Sequence, residues 1–336
     1  MTNSSSDRRS GEFEIIAKYF APLAANSVAA RGLTDDAAFV DLDADYQLVA
    51  TVDAVTEGVH FLRDDPPEMI GAKALRVNLS DLAAKGASPA GFVLTLALRA
   101  ADDAWLAPFA RGLGADCVGF GCPLLGGDTV STPGPAMISI TAFGRVAPGK
   151  MVHRSGAKPG DRGVVTGTIG DAALGLDLLR AGRVAAALAG DPAAREMLVG
   201  RYHVPQPRNA LARAVRDFAH AAIDVSDGLA GDLAKLCAAS GVSAVIDVPG
   251  IPLSAAAAAT IAAGAVGIGE LVSAGDDYEI LCAIPEEGFE RFARAADIAG
   301  VAVSSIGTVI AQASPPRFLD AQGRDTPLPR LSYSHF

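Results

Sequence analysis

IDVSDGL, residues 223–229, is the stretch on which the reading of this chain turns. An apolar run from Ala221 leads into Asp224-Val225-Ser226-Asp227-Gly228, and a helical pattern begins at residue 228. A strand that feeds a helix through a short turn is the unit from which mixed α/β sheets are assembled. Ser226 or Asp227 could cap that helix. Capping leaves Asp224 unexplained, because it alternates with Val225 inside the strand. A turn that offers two carboxylates together with backbone N–H groups suits a metal-bridged phosphate.

Five further segments set aspartate beside small or polar residues: LTDDAAF (Asp35, Asp36), VATVDAVTEGVHF (Asp53), NLSDLAAKG (Asp81), LLGGDT (Asp128) and SAGDDYE (Asp276, Asp277). Carboxylates gathered without matching Lys or Arg repel unless a cation neutralises them. Oxygen-only ligands favour Mg²⁺ or Ca²⁺ over zinc, and Mg²⁺ characteristically bridges carboxylates to substrate phosphates. The common nucleotide cradles are missing. The sequence has no GxxxxGK[ST], no GxGxxG between strand and helix, no HRD/DFG pair, no HExxH and no GxSxG. Any ATP must therefore be held through metals. GFGCPLLGGDT, 119–129, is the nearest approach to a phosphate loop, although paired glycines read first as a tight turn. Locally, His60 reads as a structural histidine and Arg154 as a surface cation within reach of a phosphate.

A chain of 336 residues suits two domains. Residues 1–10, polar and without an apolar segment, read as a disordered tail rather than a signal peptide. The pattern predicts helices over 12–25, 68–85, 103–113, 171–181, 208–220, 228–240 and 286–298, with an Ala-rich helix between Ser254 and Ala265. Strands are predicted at 37–42, 47–53, 91–98, 137–146, 163–168, 221–225, 243–248, 279–284 and 302–309. The Gly, Pro and charge of 147–163 mark the break between an N-terminal domain, 11–147, and a C-terminal domain, 148–336. A net charge of −10 argues against nucleic-acid or anionic-membrane binding. Four cysteines without a CxxC pair read as reduced, buried thiols of a cytoplasmic protein.

In order along the chain, GEFEIIAKYF, TVDAVTEGVHF, ALRVNLSDLAAKGASP, GGDT, RSGAKPGD, IDVSDGL, AGDDYEI and the closing Tyr-Ser-His-Phe resemble the thiamine-monophosphate kinases. Their superfamily also holds aminoimidazole ribonucleotide synthetase and selenophosphate synthetase. The resemblance implies an α/β (α+β) fold of two-domain PurM-like architecture. N-terminal sheets would pair across a homodimer, and a C-terminal α+β domain would complete the protomer. It implies Mg²⁺-dependent phosphorylation of thiamine monophosphate by ATP, through direct transfer that needs no catalytic side chain. Carried onto this chain, the metal ligands are Asp36, Thr51, Val52 (through its carbonyl), Asp53, Asp81, Asp128, Asp224 and Asp227. ATP contacts are Gly127, Asp128, Arg154 and Ser226, and thiamine-phosphate contacts are His60, Asp276 and Tyr333. The chain departs from the family pattern at Thr34, Val52 and Asp276, and it lacks a glycine before the terminal aromatic. Two other readings compete. Another ATP-dependent synthetase of the superfamily is one, although a selenide-activating enzyme would carry an N-terminal reactive cysteine and the first here is Cys117. A non-catalytic Mg-nucleotide-binding protein is the other, although it would have let the acidic set erode.

Overall fold

Strands covered on both faces read as near-continuous apolar runs, and ILCAI, residues 280–284 of the strand Glu279–Ile284, is such a run. The computed structural model describes residues 12–33 and 44–329. Their contacts divide the described chain into two compact units, one within 1–44, 50–78 and 89–144, the other within 45–49, 79–88 and 145–336.

The first unit is built on a four-stranded sheet. Its strands are β1 (Gln47–Thr56), β2 (Ser88–Leu98), β3 (Leu124–Ser131) and β4 (Met137–Val146), in the order β1-β4-β2-β3. β2 and β3 are parallel, with Leu94 opposite Gly127 and Thr95 opposite Asp128. Parallel neighbours need a crossover, here the helix Asp103–Gly119, whose first turn is capped by the Asp102 carboxylate accepting from Ala104 N–H at 2.9 Å. Its Leu106, Phe109 and Leu113 are buried. The helix Pro67–Ala84 begins in this unit and ends in the second.

The second unit holds six strands: β5 (Arg162–Thr166), β6 (Ala221–Val225), β7 (Ser243–Asp247), β8, which is Glu279–Ile284, β9 (Val303–Ile310) and β10 (Arg317–Leu319). Their order is β10-β7-β9-β5-β8-β6. Alternation sorts their side chains. Val165, Ile223, Val225 and Leu281 pack with Leu229, Leu233 and Leu236 of the helix Leu229–Ser240. Val164, Ala222, Ile280, Cys282 and Ile284 pack on the opposite side with Phe292 and Ala296 of the helix Glu286–Ile298.

Several elements differ from expectation. β1 runs on to Thr56, so Asp53 lies within the strand rather than at its end. The GGDT segment is neither turn nor loop but part of β3, because Gly127 lies against a neighbouring backbone: a Cβ there would fall 2.0 Å from the Leu94 carbonyl oxygen. The helix Pro192–His203 and the short β10 carry no strong local signal. The N-terminal helix contains a π-turn, Ile16–Phe20, just before Pro22, which has no N–H to continue the ordinary pattern. The expected strand at 37–42 and the tail 1–10 lie outside the described residues. All four cysteines are buried, and burial pushes the thiols of Cys117, Cys122 and Cys282 up to about 12 and that of Cys237 up to about 11.

Phe292 is 0 % exposed at the centre of its cluster. Phe292→Ala is expected to lower unfolding free energy by about 3–5 kcal/mol, measured by urea denaturation.

Candidate active site

In the first unit β1 carries Thr51, Val52 and Asp53 side by side. The backbone there is pinned from behind: Asn78, fully buried, accepts from Asp53 N–H at 3.1 Å and donates to the Ala74 carbonyl at 3.1 Å. Asn78 thus supports Asp53 through its main chain. Val52 is 60 % exposed, as a residue offering only its carbonyl can be. His60 follows the strand. Its Nδ1 accepts from Thr56 N–H at 3.1 Å, so a neutral ring carries its proton on Nε2. The His60 carbonyl in turn accepts from the buried Lys73 ammonium at 2.9 Å. Gly127 and Asp128, both exposed, lie on β3, the outer strand of its sheet.

The second unit brings together Asp81, Arg154 and Asp224 around Lys85. The Lys85 ammonium donates to the Ala222 carbonyl on β6 at 2.8 Å. Burial pushes its pKa down, Asp224 and Asp81 push it back up, and Arg154 lowers it further. All three charges therefore lie within electrostatic reach of one ammonium. Asp224 is 7 % exposed, on the strand face opposite Ile223 and Val225.

Ser226 and Asp227 form the turn that opens the helix Leu229–Ser240. Asp227 N–H donates to Asp232 Oδ2 at 3.0 Å, and the Lys235 ammonium bridges the Asp227 and Asp232 carboxylates. Asp276 N–H reaches back to the Ser226 carbonyl at 2.9 Å, and Tyr278 N–H to that of Val225 at 2.8 Å. The 276–278 segment is thus stitched to the turn of the opening motif. Asp35, Asp36, Thr34 and Tyr333 lie outside the described residues.

These donors suit Mg²⁺ in kind, being carboxylates, a hydroxyl and a carbonyl. The ammonium seated on Asp227 marks a carboxylate that already takes a cation. Among the described residues no three His, Cys, Asp or Glu side chains stand close enough to hold an ion unaided. Phosphate oxygens would have to complete the coordination, as is usual for Mg²⁺.

Reading the sequence passed over Asp232 and Lys235, which the helical spacing from Asp227 could have revealed. It also passed over Glu279, Arg201 and Arg208, which no local pattern connects. Asp277, next to the expected substrate contact, is 1 % exposed. Its Oδ2 accepts from Gly170 N–H at 2.8 Å, while Oδ1 has no partner.

Two family models cover most of the chain. Residues 34–146 match the AIR synthase related protein N-terminal domain, and residues 158–316 match the corresponding C-terminal domain. Among curated proteins, the thiamine-monophosphate kinase of Caulobacter vibrioides is 42 % identical over 96 % of this chain and 90 % of its own length. Among solved structures, the thiamine-monophosphate kinase of Stenotrophomonas maltophilia K279a superposes with a TM-score of 0.76 at 36 % identity, over 87 % of this chain and 90 % of that one. AaThiL complexed with AMPPCP and TMP superposes at 0.75 and 28 % identity, over 97 % of both chains. The two-domain fold is therefore that of the AIR synthase related proteins. Within them, the chain belongs to the thiamine-monophosphate kinase family.

Burial holds the Asp277 carboxyl well above the usual carboxylate range, against the pull of Gly170 N–H and Arg201. With its folded pKa above its unfolded one, the folded state binds the extra proton. The chain therefore loses stability as pH rises from the ordinary carboxylate pKa through the raised value. Asp277→Asn removes the ionisation and is expected to raise Tm more at pH 8 than at pH 5, read by calorimetry.

Proposed function

We infer that this chain phosphorylates thiamine monophosphate with ATP, yielding thiamine diphosphate and ADP. The observation that carries the reading is the near full-length match, in both sequence and fold, to thiamine-monophosphate kinases, one of them seen with an ATP analogue and TMP. The nucleophile, an oxygen of a phosphate monoester, is already ionised near neutral pH, so the reaction needs placement and charge neutralisation more than a base.

The residues have separable tasks. Gly127, Asp128, Arg154 and Ser226 are assigned to ATP. Gly127 leaves the main chain uncovered, Arg154 brings a guanidinium for a phosphate, and Ser226 brings its hydroxyl and the turn around it. Asp36, Thr51, the Val52 carbonyl, Asp53, Asp81, Asp128, Asp224 and Asp227 would hold Mg²⁺. Bound there, the ions would screen the repulsion between the phosphates of the two substrates. His60, its Nδ1 occupied by Thr56, would offer Nε2–H to the thiamine phosphate. Asp276 would offset the positive thiazolium, and Tyr333 would stack on the ring system.

We also propose that the protein works in the cytoplasm as a homodimer. Among the described residues no helix is long and apolar enough to cross a membrane. Leu48, Val52, Val130 and Met137 leave apolar surface on the strands of the first unit's sheet, which supports pairing of that sheet with a second copy. Light scattering is expected to give twice the 34.1 kDa chain mass.

Incubation of the purified protein with ATP, Mg²⁺ and thiamine monophosphate is expected to yield ADP and thiamine diphosphate in equal amounts. Absence of both products would falsify the assignment. Asp128→Asn and Asp224→Asn are each expected to raise the Mg²⁺ concentration for half-maximal turnover by at least about tenfold, and unchanged Mg²⁺ dependence would exclude these residues as ligands.

A further inference from the structure

The Gly275–Tyr278 turn is backbone-strained. Asp276 has φ 73° and Tyr278 φ 51°, two left-handed residues other than glycine separated by a single position. Such conformations are costly for L-residues and persist only where the surroundings dictate them. Here the surroundings are specific. On one side are the hydrogen bonds to Val225 and Ser226. On the other, Gly170 N–H holds the Asp277 carboxylate, and Arg201 Nη2 donates to the Asp277 carbonyl at 3.2 Å.

The next residue, Glu279, anchors the whole turn. It opens β8 with its side chain 0 % exposed. Its carboxylate accepts from Arg201 Nη2 at 2.8 Å, from Arg208 Nε at 2.6 Å and also Nη2, and from Thr166 Oγ1 at 2.6 Å. Thr166 Oγ1 accepts in turn from Ile280 N–H at 2.8 Å. The seat is shaped for this carboxylate: a Cβ on Gly167, at φ +58°, would lie 2.1 Å from Glu279 Oε1. A buried ion cluster of this kind is a poor device for stability alone, since well-packed apolar residues commonly do as well or better. Arg201 Nε and Asp277 Oδ1 are moreover left without partners. The cluster is better explained by what it holds in place.

We propose that Glu279, gripped by Arg201 and Arg208, is a positioning residue. It clamps the strained turn against Val225–Ser226 and so sets the separation between Asp276, the thiamine contact, and Ser226, the nucleotide contact. The proposal rests on those two contacts as assigned under the proposed function. Displacement of reacting groups by about 1 Å costs on the order of 100-fold in rate. A loosened clamp therefore shows itself in turnover before it shows in the binding of either substrate.

The test uses full-length Glu279→Gln and Arg208→Lys. The second keeps the charge but loses the planar two-pronged grip. For each, kcat, KM for thiamine monophosphate, Kd for a non-hydrolysable ATP analogue and Tm are measured. The expected result is a fall in kcat of about 10- to 100-fold, with the nucleotide Kd within about threefold of wild type. If Glu279→Gln does not fold, Arg208→Lys decides alone. Wild-type kcat in a folded variant overturns the proposal. So does a kcat loss that comes only with a matching loss of Tm and of both ligand affinities, which would mark a purely structural cluster. Asp276→Asn separates the underlying reading. Unchanged KM for thiamine monophosphate removes Asp276 as a substrate contact and the proposal with it. A raised KM together with wild-type kcat in the clamp variants leaves that contact standing and removes only the clamp.

Discussion

A strand buried along its whole length leaves little room for a charge, and β6 carries one. All five of its residues are buried, and Asp224 is the fourth. Burying a carboxylate is costly unless a cation or several hydrogen bonds meet it. Much of the second unit is arranged around that requirement. Lys85 is tethered two residues upstream at the Ala222 carbonyl, within the field of Asp224. Just beyond the strand, Lys235 comes from a later helical turn to bridge Asp227 and Asp232. On neighbouring β8, Glu279 draws Arg201 and Arg208. The acids around this turn are thus met by ammonium or guanidinium groups from a helix end, a helix middle and a distant loop.

That arrangement suits a kinase without a glycine-rich nucleotide cradle. A P-loop grips phosphates with main-chain N–H groups and supplies its own lysine. Here most of the residues assigned to phosphate are acidic and would act through Mg²⁺, with Arg154 the one guanidinium among them. The main chain also holds acids at fixed places. Asn78 does so for Asp53 on β1, and the Val225 and Ser226 carbonyls do so for the 276–278 segment.

The sequence made local structure legible where pattern and chemistry agreed. The strand–turn–helix at 221–240 could be read because an apolar run, a polar turn and a helical repeat lie next to one another. The two-part organisation and the positions of most strands along the chain were legible for the same reason. GGDT was misread because the need for Gly127 comes from Leu94, more than thirty positions earlier and across a parallel pair. Asp53 was misplaced at a strand end because its own charge interrupts the apolar run, which resumes at Ala54 and Val55 and continues to Thr56. The Glu279 cluster was invisible because its partners lie 71, 78 and 113 residues away, and no periodicity links them. The candidate acids stood out because each sits in a short polar segment, whereas the cations near them are scattered through helices and loops.

The four buried thiols bear on where such a chain can operate. Reactivity toward oxidants, electrophiles and soft metals belongs to the thiolate, and here every cysteine is held as a neutral thiol far above physiological pH. The residues assigned to the reaction coordinate and bind through oxygen and nitrogen alone. Oxidants that attack through a thiolate therefore find little purchase on these four cysteines, which are kept apart from the candidate site's chemistry by burial rather than by disulfides.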